Sequence, residues 1–304
     1  MSTSLLNRRL LHFLTVYETG NIKRAADLIN ISQPALSMSL RQLEEELGSE
    51  LFQRQARGVV PTEAGEVLYR YASSIRQSAR LAGEEIVALA SGRLSRLRLG
   101  AGVAWTTTVL PDVLINLQRQ FEGMSIDMVT GVGDQLAALF LAGNIDVLLA
   151  AGSMPRLDAP DIEKEFIANL PMLAVAGREH RLARRKLVHP DDLVCNVWAG
   201  FYEDEGFFHL AQHYMALRGM PAPKIAVRTN SAAALTAIVG SSEMIAILIA
   251  PLAHSASKAG LCALPLSEPL WEMPVNIYYR RVASELGVIR TFCDAVSERI
   301  KKLV

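Results

Sequence analysis

The chain has 304 residues, which is long enough for two or three domains that each bury a core of their own. Its 31 basic residues balance its 31 acidic residues, so overall charge does not indicate nucleic-acid binding and any DNA contact has to come from a local basic surface. Neither a signal-peptide pattern nor an apolar run of about 20 residues is present, and the three cysteines are isolated, so we expect a cytoplasmic protein that contacts no membrane.

Three amphipathic helices are predicted in the first fifty residues. The first ends near Gly20, Asn21 caps a short second helix, and Ser32 caps a third helix that carries Pro34 in its first turn and ends at Gly48. The second and third helices are separated only by a short turn, which is the geometry of a helix-turn-helix. The side chains expected to face the core of this unit are Ala25, Ala26, Leu28 and Ile29 in the second helix and Leu36, Leu40, Leu43 and Leu47 in the third.

The start of the third helix would enter the major groove of DNA in this arrangement. Its outward side chains offer an amide, a hydroxyl, an apolar contact for thymine methyl groups and a guanidinium. Basic residues on the second helix and after the third can contact phosphates, although each such residue taken singly is also typical of a solvated surface. The predicted DNA-binding residues are Lys23, Arg24, Ser32, Gln33, Pro34, Ser37, Met38, Arg41, Arg54 and Arg57.

Residues 13–65, FLTVYETGNIKRAADLINISQPALSMSLRQLEEELGSELFQRQARGVVPTEAG, resemble the N-terminal domain of LysR-type transcriptional regulators. The shared positions are Phe13, Glu18, Ala25, Ala26, Leu28, Ser32, Gln33, Pro34, Ser37, Leu43, Glu44, Leu47, Gly48, Leu51, Phe52, Arg54, Thr62, Ala64 and Gly65. The resemblance implies a winged helix-turn-helix over 4–62, with the helix-turn-helix at about 22–41 and the wing at about 51–61. Residues 21–23 depart from the family, which more often has small hydroxyl residues there.

A long helix without proline is predicted over 63–92. Its apolar stripe is narrow, which favours a dimer seam over a core of its own; the stripe consists of Leu68, Tyr71, Ile75, Ala82, Ile86 and Leu89. Paired helices would present two DNA-reading heads to two half-sites. The resemblance further implies that this helix pairs with its copy, and that the chain forms a dimer or a homotetramer. Promoter DNA is the expected partner, and RNA polymerase is a further candidate partner.

From residue 96 onward, short apolar runs alternate with helical segments, which predicts an α/β fold. Strands are predicted at 97–100, 126–130, 145–150, 173–176, 197–200, 225–228, 244–249, 262–264 and 275–279. A weaker resemblance in this region implies an effector-binding domain over 93–304 with two subdomains, like those of periplasmic solute-binding proteins. Subdomain I would comprise about 95–167 and 270–304, and subdomain II about 168–269.

A ligand site is predicted beyond the carboxyl ends of the strands, where ligands of open α/β sheets bind. Hydroxyl-rich or glycine-rich segments follow three strands, and two aromatic residues follow a fourth. Helix starts with free amides suit a carboxylate, so we expect a small organic acid as effector, although capping is the commoner role of such hydroxyls. The candidate effector-binding residues are Val103, Trp105, Thr106, Thr107, Thr108, Thr130, Gly131, Phe201, Tyr202, Thr229, Asn230 and Ser231.

Two other classes of function fit the sequence less well. Trp105 stands where a dinucleotide-binding loop beginning at residue 100 would need its third glycine. His209 and His213 lack the adjacent glutamate and the third ligand of a zinc site, so we expect them on the surface. A solute-transport component would have no use for residues 1–92. We therefore predict no catalytic residue, metal site or cofactor, and we expect Cys195, Cys262 and Cys293 to be small buried side chains.

Overall fold

The computed structural model of the chain describes residues 7–55, 58–91, 96–202, 205–284 and 286–303. The chain divides after Ser95 into two compact units, and Leu141–Asn144 belong to the first of them. Unit 1 contains the helices α1 (Arg8–Thr19), α2 (Ile22–Leu28) and α3 (Gln33–Leu47), the strands β1 (Phe52–Gln55) and β2 (Gly58–Pro61), and the long helix α4 (Glu63–Ser91).

Polar caps and glycines set the helix ends in unit 1. The Asn21 side chain accepts a hydrogen bond from the backbone N–H of Arg24, and Ser32 Oγ accepts one from Ala35. Helices α1 and α3 end at Gly20 and Gly48, whose φ angles of 62° and 65° are left-handed and favour glycine. These helix boundaries confirm the sequence prediction.

The core of unit 1 is formed by α1, α2 and α3. Its buried apolar side chains are Phe13, Leu14, Val16, Ala25, Ala26, Leu36, Leu40 and Leu43. The prediction was wrong for Leu28 and Leu47, which are 62% and 51% exposed. Leu28 and Leu47 are the last residues of α2 and α3, where the apolar side of each helix ends at solvent.

Contacts between distant residues fasten the wing and α4 to the three helices. Strands β1 and β2 form the antiparallel hairpin of the wing. The Glu44 carboxylate accepts a hydrogen bond from the Leu51 N–H at 2.8 Å. Tyr17 stacks on Tyr69 of α4 with ring centroids 3.7 Å apart, and its hydroxyl donates to Glu66 at 2.7 Å. The start of α4 is therefore part of the folded unit.

Unit 2 is a mixed α/β structure. Its elements are β3 (Arg96–Gly102), α5 (Leu110–Gln120), β4 (Ser125–Gly131), α6 (Gly133–Leu141), β5 (Val147–Ala151), β6 (Ile162–Gly177), α7 (Pro190–Val194), β7 (Val197–Phe201), α8 (Glu205–Ala216), β8 (Lys224–Thr229), α9 (Ala232–Gly240), β9 (Met244–Ile249), α10 (Ala250–Ala256), β10 (Leu261–Ala263), β11 (Glu272–Arg280) and α11 (Gly287–Lys301). Every strand predicted for this region is present, but β6 begins at Ile162 and not near residue 173. In the part of the chain that the structure describes, no helix is both long and apolar enough to span a membrane.

One sheet with strand order β4-β3-β5-β11-β6-β9-β7-β8 runs through unit 2, and β10 pairs with β6. Strand β6 changes partner along its length, because it pairs with β11 up to Pro171 and with β9 from Met172 onward. The sheet therefore has two halves: β4, β3, β5 and β11 on one side, and β9, β7 and β8 on the other. The chain passes between the halves in β6 and again between β10 and β11.

The substitution Gly65→Ala is expected to destabilise unit 1. A Cβ atom at this position would lie 2.2 Å from the carbonyl oxygen of Leu51, so backbone would have to move. Overpacking of this kind costs about 1–3 kcal/mol, and thermal unfolding followed by circular dichroism should show a lower Tm. Gly287→Ala is the control, because nothing lies within 4 Å of its added Cβ. Equal Tm values for the two variants would contradict this reading.

The stability of unit 1 is expected to fall at acidic pH because of His12. Its Nδ1 lies 2.7 Å from Ser39 Oγ, which links α1 to α3. Burial, and then the positive charge of Arg8, lower the pKa of His12 below its ordinary value of 6.5. The unfolded chain therefore binds more protons, so this contribution to stability is present above pH 6.5 and is lost as the pH falls through the lowered pKa.

The variant His12→Asn should show a smaller loss of unfolding free energy between about pH 7.5 and about pH 5.5 than the unmodified chain does. Urea denaturation at the two pH values measures the difference. The same loss in both proteins would show that His12 does not contribute.

Candidate DNA-binding surface and ligand cavity

The predicted base-reading residues lie along the N-terminal part of α3. Gln33, Ser37 and Arg41 follow each other at four-residue steps and so share one side of the helix. Gln33 and Arg41 are exposed, Ser37 is half-buried, and Met38 is 63% exposed. Ser32 and Pro34, at the start of the helix, are exposed as well. This end of α3 is accessible to a large partner.

Uncompensated positive charge accompanies this surface. The basic residues predicted to contact phosphates are exposed, except that Arg57 lies outside the described residues. Among the residues that the structure describes, the predicted cations without an ion pair are Lys23, Arg24, Arg41 and Arg54. Two of the three glutamates in the nearby acidic run are engaged elsewhere, because Glu44 binds the backbone of the wing and Glu46 pairs with Arg9. Free cations of this kind attract the phosphates of nucleic acid.

A cavity of about 380 Å³ lies in unit 2 and is lined by both halves of the sheet. The first half contributes 102–105, 131–134, Leu136, 150–154 and Met273, and the second half contributes Met172, 200–201, Phe207, 209–210, 247–249 and Leu252. Most of these residues lie at or just after the carboxyl ends of β3, β4, β5, β7 and β9. This is the position in which open α/β sheets bind their ligands.

Four of the predicted effector-binding residues line this cavity: Val103, Trp105, Gly131 and Phe201. The residues that lie outside the lining are Thr106, Thr107, Thr108, Thr130, Tyr202, Thr229, Asn230 and Ser231. Several of their hydroxyls form hydrogen bonds with the local backbone instead. Thr106 and Thr108 donate to the carbonyls of Val103 and Ala104, and Ser231 caps α9.

Other lining residues were not singled out from the sequence. Segments 150–154 and 247–249 end β5 and β9, so the same rule about strand ends would have found them. His209, which was expected on the surface, is exposed and also lines the cavity. Met172 and Met273 come from the interior of β6 and the start of β11, and no local sequence signal marks them as ligand contacts.

The cysteines differ in their surroundings. Cys293 is buried, and burial raises the pKa of its thiol to about 12. Burial also raises the pKa of the half-buried Cys262. The expectation of a buried side chain is wrong for Cys195, which is exposed because it follows the short surface helix α7. Within the described ranges, His, Cys, Asp and Glu side chains form no group of three or more that could hold a metal ion.

Comparison with known proteins gives matches along nearly the whole chain. The model for bacterial regulatory helix-turn-helix proteins of the lysR family matches residues 7–66, and the model for the LysR substrate binding domain matches residues 90–301. The chain is 27% identical to the HTH-type transcriptional regulator GbpR of Azospirillum brasilense over 275 residues, which cover 90% of this chain and 80% of that protein.

A second relative is the RuBisCO operon transcriptional regulator of Allochromatium vinosum, which is 30% identical over 213 residues. The match covers 70% of this chain and 69% of that protein. Among solved structures, full-length LysG from Corynebacterium glutamicum with bound effector Arg has the same fold, with a TM-score of 0.64 at 21% identity. That match covers 98% of this chain and 99% of LysG.

The two matched domains follow each other in the order in which the structure shows the helix-turn-helix and the two-part α/β unit. Both curated relatives are transcriptional regulators. The chain therefore belongs to the LysR family of transcriptional regulators, with an N-terminal DNA-binding domain and a C-terminal effector-binding domain.

Proposed function

We propose that the chain, as a regulator and not an enzyme, binds a specific promoter sequence through α3 under the control of a small molecule held in the cavity of unit 2. The observation that carries this proposal is the exposed start of α3, with polar side chains on one side, together with exposed cations on α2, α3 and β1 that have no ion pair among the described residues. An exposed helix start of this composition suits the major groove, whereas a helix used only for packing would bury it.

In this proposal Gln33, Ser37, Met38 and Arg41 contact base edges. The Gln33 amide suits the paired donor and acceptor of adenine, and the exposed Met38 side chain suits a thymine methyl group. The residues assigned to the backbone and to the docking register are Lys23, Arg24, Ser32, Pro34, Arg54 and Arg57. Phosphate contacts supply affinity without selecting sequence, so the two groups of residues have different roles.

Helix α4 is proposed to pair with its copy in a second chain. Tyr71, Ile75 and Ile86 are 56%, 50% and 63% exposed, so these three members of the predicted apolar stripe are not covered within this chain. Leu68 is half-buried, and the side chain of Leu89 lies outside the described part of the chain. Long helices with such a stripe form coiled coils, and members of this family form oligomers. A dimer would place two copies of α3 on two half-sites of DNA. Assembly into a homotetramer, a contact with RNA polymerase and a cytoplasmic location remain predictions.

The cavity is proposed to hold the effector. Because it is lined by both halves of the sheet, a bound molecule would favour one relative position of the halves, and paired α4 helices would pass this change to the DNA-reading heads. The start of α6 at Gly133 supports the prediction of a small organic acid, since first-turn amides favour negative charge. Asp134 in the same lining disfavours an acid that carries several charges.

Replacing Gln33 tests the DNA-reading role. Gln33→Ala should weaken binding to the upstream DNA of the gene by about 5- to 150-fold, since one bidentate base contact contributes about 1–3 kcal/mol. The matched control is Gln42→Ala, because Gln42 is also exposed on α3 and lies about 180° around the helix. Gel shifts at one salt concentration measure both affinities. Equal affinities for the two variants would contradict the assignment, and absence of any shift at low salt would contradict DNA binding itself.

Replacing Ile75 tests the proposed seam. Ile75→Glu would place a carboxylate from each helix in the apolar seam, and unpaired charges in an interface cost several kcal/mol, so the dimer should dissociate at least about tenfold more readily. Val282→Glu is the control, since Val282 is 52% exposed, belongs to unit 2 and is not part of the apolar stripe of α4. Sedimentation equilibrium measures the dissociation constant, and circular dichroism checks the fold. An unchanged constant for Ile75→Glu would place the dimer contact elsewhere.

A further inference from the structure

The cavity of unit 2 has almost no charged lining. Among its described lining residues the ionisable side chains are Asp134 and His209, both of which are exposed, and there is no lysine or arginine. The other polar groups of the described lining side chains are the Ser153 hydroxyl and the indole N–H of Trp105. Any negative charge on a ligand would therefore meet backbone amides and one carboxylate, without a permanent cation to balance it.

The remaining wall is apolar and adaptable. Met154, Met172 and Met273 line it from both halves of the sheet, and each is at most 7% exposed. Met154 Cε lies 3.9 Å from the position of a Cβ at Gly133, and Met273 Cε lies 3.1 Å from that position at Gly152. Flexible methionine side chains thus lie beside the glycines of the lining. Methionine thioethers pack well against aromatic rings of different shapes.

Aromatic side chains complete this wall. The indole of Trp105 lies 3.3 Å from the Cβ position at Gly102, and Phe201 and Phe207 line the cavity from the other half of the sheet. Trp105 and Phe207 are 1% and 7% exposed, so they form fixed surfaces. A volume of about 380 Å³ corresponds to roughly a dozen water molecules, which is room for one or two rings.

The energetics favour an apolar occupant over a polyanion. Each square ångström of apolar surface removed from water contributes about 25 cal/mol, so a ring that packs against the methionine and aromatic side chains binds favourably. A phosphate monoester or a tricarboxylate would lose hydration around two or three charges without a cation in the lining to replace it. Backbone amides near Gly133 can satisfy one carboxylate at most while Asp134 lies beside them.

We propose that the effector is a predominantly apolar, ring-sized molecule with no more than one negative charge. This inference rests on the proposed function, and it narrows the organic acid expected from the sequence to a monocarboxylate or a neutral molecule of similar shape. Polycarboxylates and sugar phosphates are excluded as effectors.

The test is calorimetric titration of the full-length chain with four probes: naphthoate, naphthylmethanol, citrate and glucose phosphate. At least one naphthyl probe should bind about tenfold or more tightly than citrate and glucose phosphate do, because only the naphthyl ring gains from apolar burial. Tighter binding of citrate or glucose phosphate would overturn the inference. So would the absence of binding by both naphthyl probes.

A pair of variants tests whether polyanions bind weakly because the cavity lining has no lysine or arginine. Leu210 lines the cavity and is 37% exposed, so Leu210→Arg adds a guanidinium with little cost to the fold. This variant should gain about tenfold or more in citrate affinity and lose affinity for naphthylmethanol. Leu217→Arg is the matched control, since Leu217 follows α8, is 71% exposed and lies outside the lining. Equal citrate affinities in the two variants would overturn the explanation.

DNA binding in the same preparations separates failure of this inference from failure of the proposed function. If the chain shifts its upstream DNA and citrate alters the footprint by binding in the cavity, the regulator role stands and the inference about the effector fails. If a naphthyl probe binds but the chain gives no shift at low salt, the inference stands and the DNA-binding role fails.

Discussion

The backbone hydrogen bonds of β6 are the constraint on which unit 2 depends. This strand of 16 residues pairs with β11 in its first part and with β9 in its second part, so one strand belongs to both halves of the sheet. The change of partner falls at Pro171, which has no N–H to donate. The carboxyl ends of strands from both halves thereby come to line one cavity. A ligand there would contact two parts of the sheet that are joined by β6 and by the return of the chain to β11.

Unit 1 depends on a different set of interactions, most of which join residues far apart in the chain. Glu44 holds the beginning of the wing, and Tyr17 stacks on Tyr69 at the start of α4. Gly65 lets the backbone near Leu51 approach α4 closely, because a Cβ atom at this position would meet the carbonyl oxygen of Leu51. These contacts leave the polar start of α3 exposed, while the buried side chains of that helix are Leu36, Leu40 and Leu43.

Charge is distributed unevenly although the chain is neutral overall. In the described part of unit 1, exposed cations without an ion pair lie on α2, α3 and β1, while Glu44 and Glu46 are engaged by backbone and by arginine. The cavity of unit 2 shows the opposite pattern, with one carboxylate, one imidazole and no permanent cation in its described lining. The two surfaces therefore suit ligands of opposite character, a polyanion at α3 and an apolar molecule in the cavity.

Local signals in the sequence determined the elements and their order. Asn21, Ser32, Gly20 and Gly48 act within a few residues of themselves, through caps and left-handed turns, so the ends of the first three helices were predictable. Apolar runs located the strands of unit 2 for the same reason. The first half of β6 was not predicted because three consecutive charged residues, Glu163, Lys164 and Glu165, separate the buried Ile162 from the buried Ile167, which leaves no apolar run.

Tertiary structure alone decided which side chains line the cavity. Thr106 and Thr108 were equally suited to bind a ligand or their own turn, and the fold gives their hydroxyls to carbonyls of that turn. Met172 and Met273 line the cavity because β6 and β11, which are far apart in the sequence, pair in one sheet. Caps and turns are settled by neighbours in sequence, whereas a cavity wall is assembled from residues whose proximity depends on the pairing of distant strands.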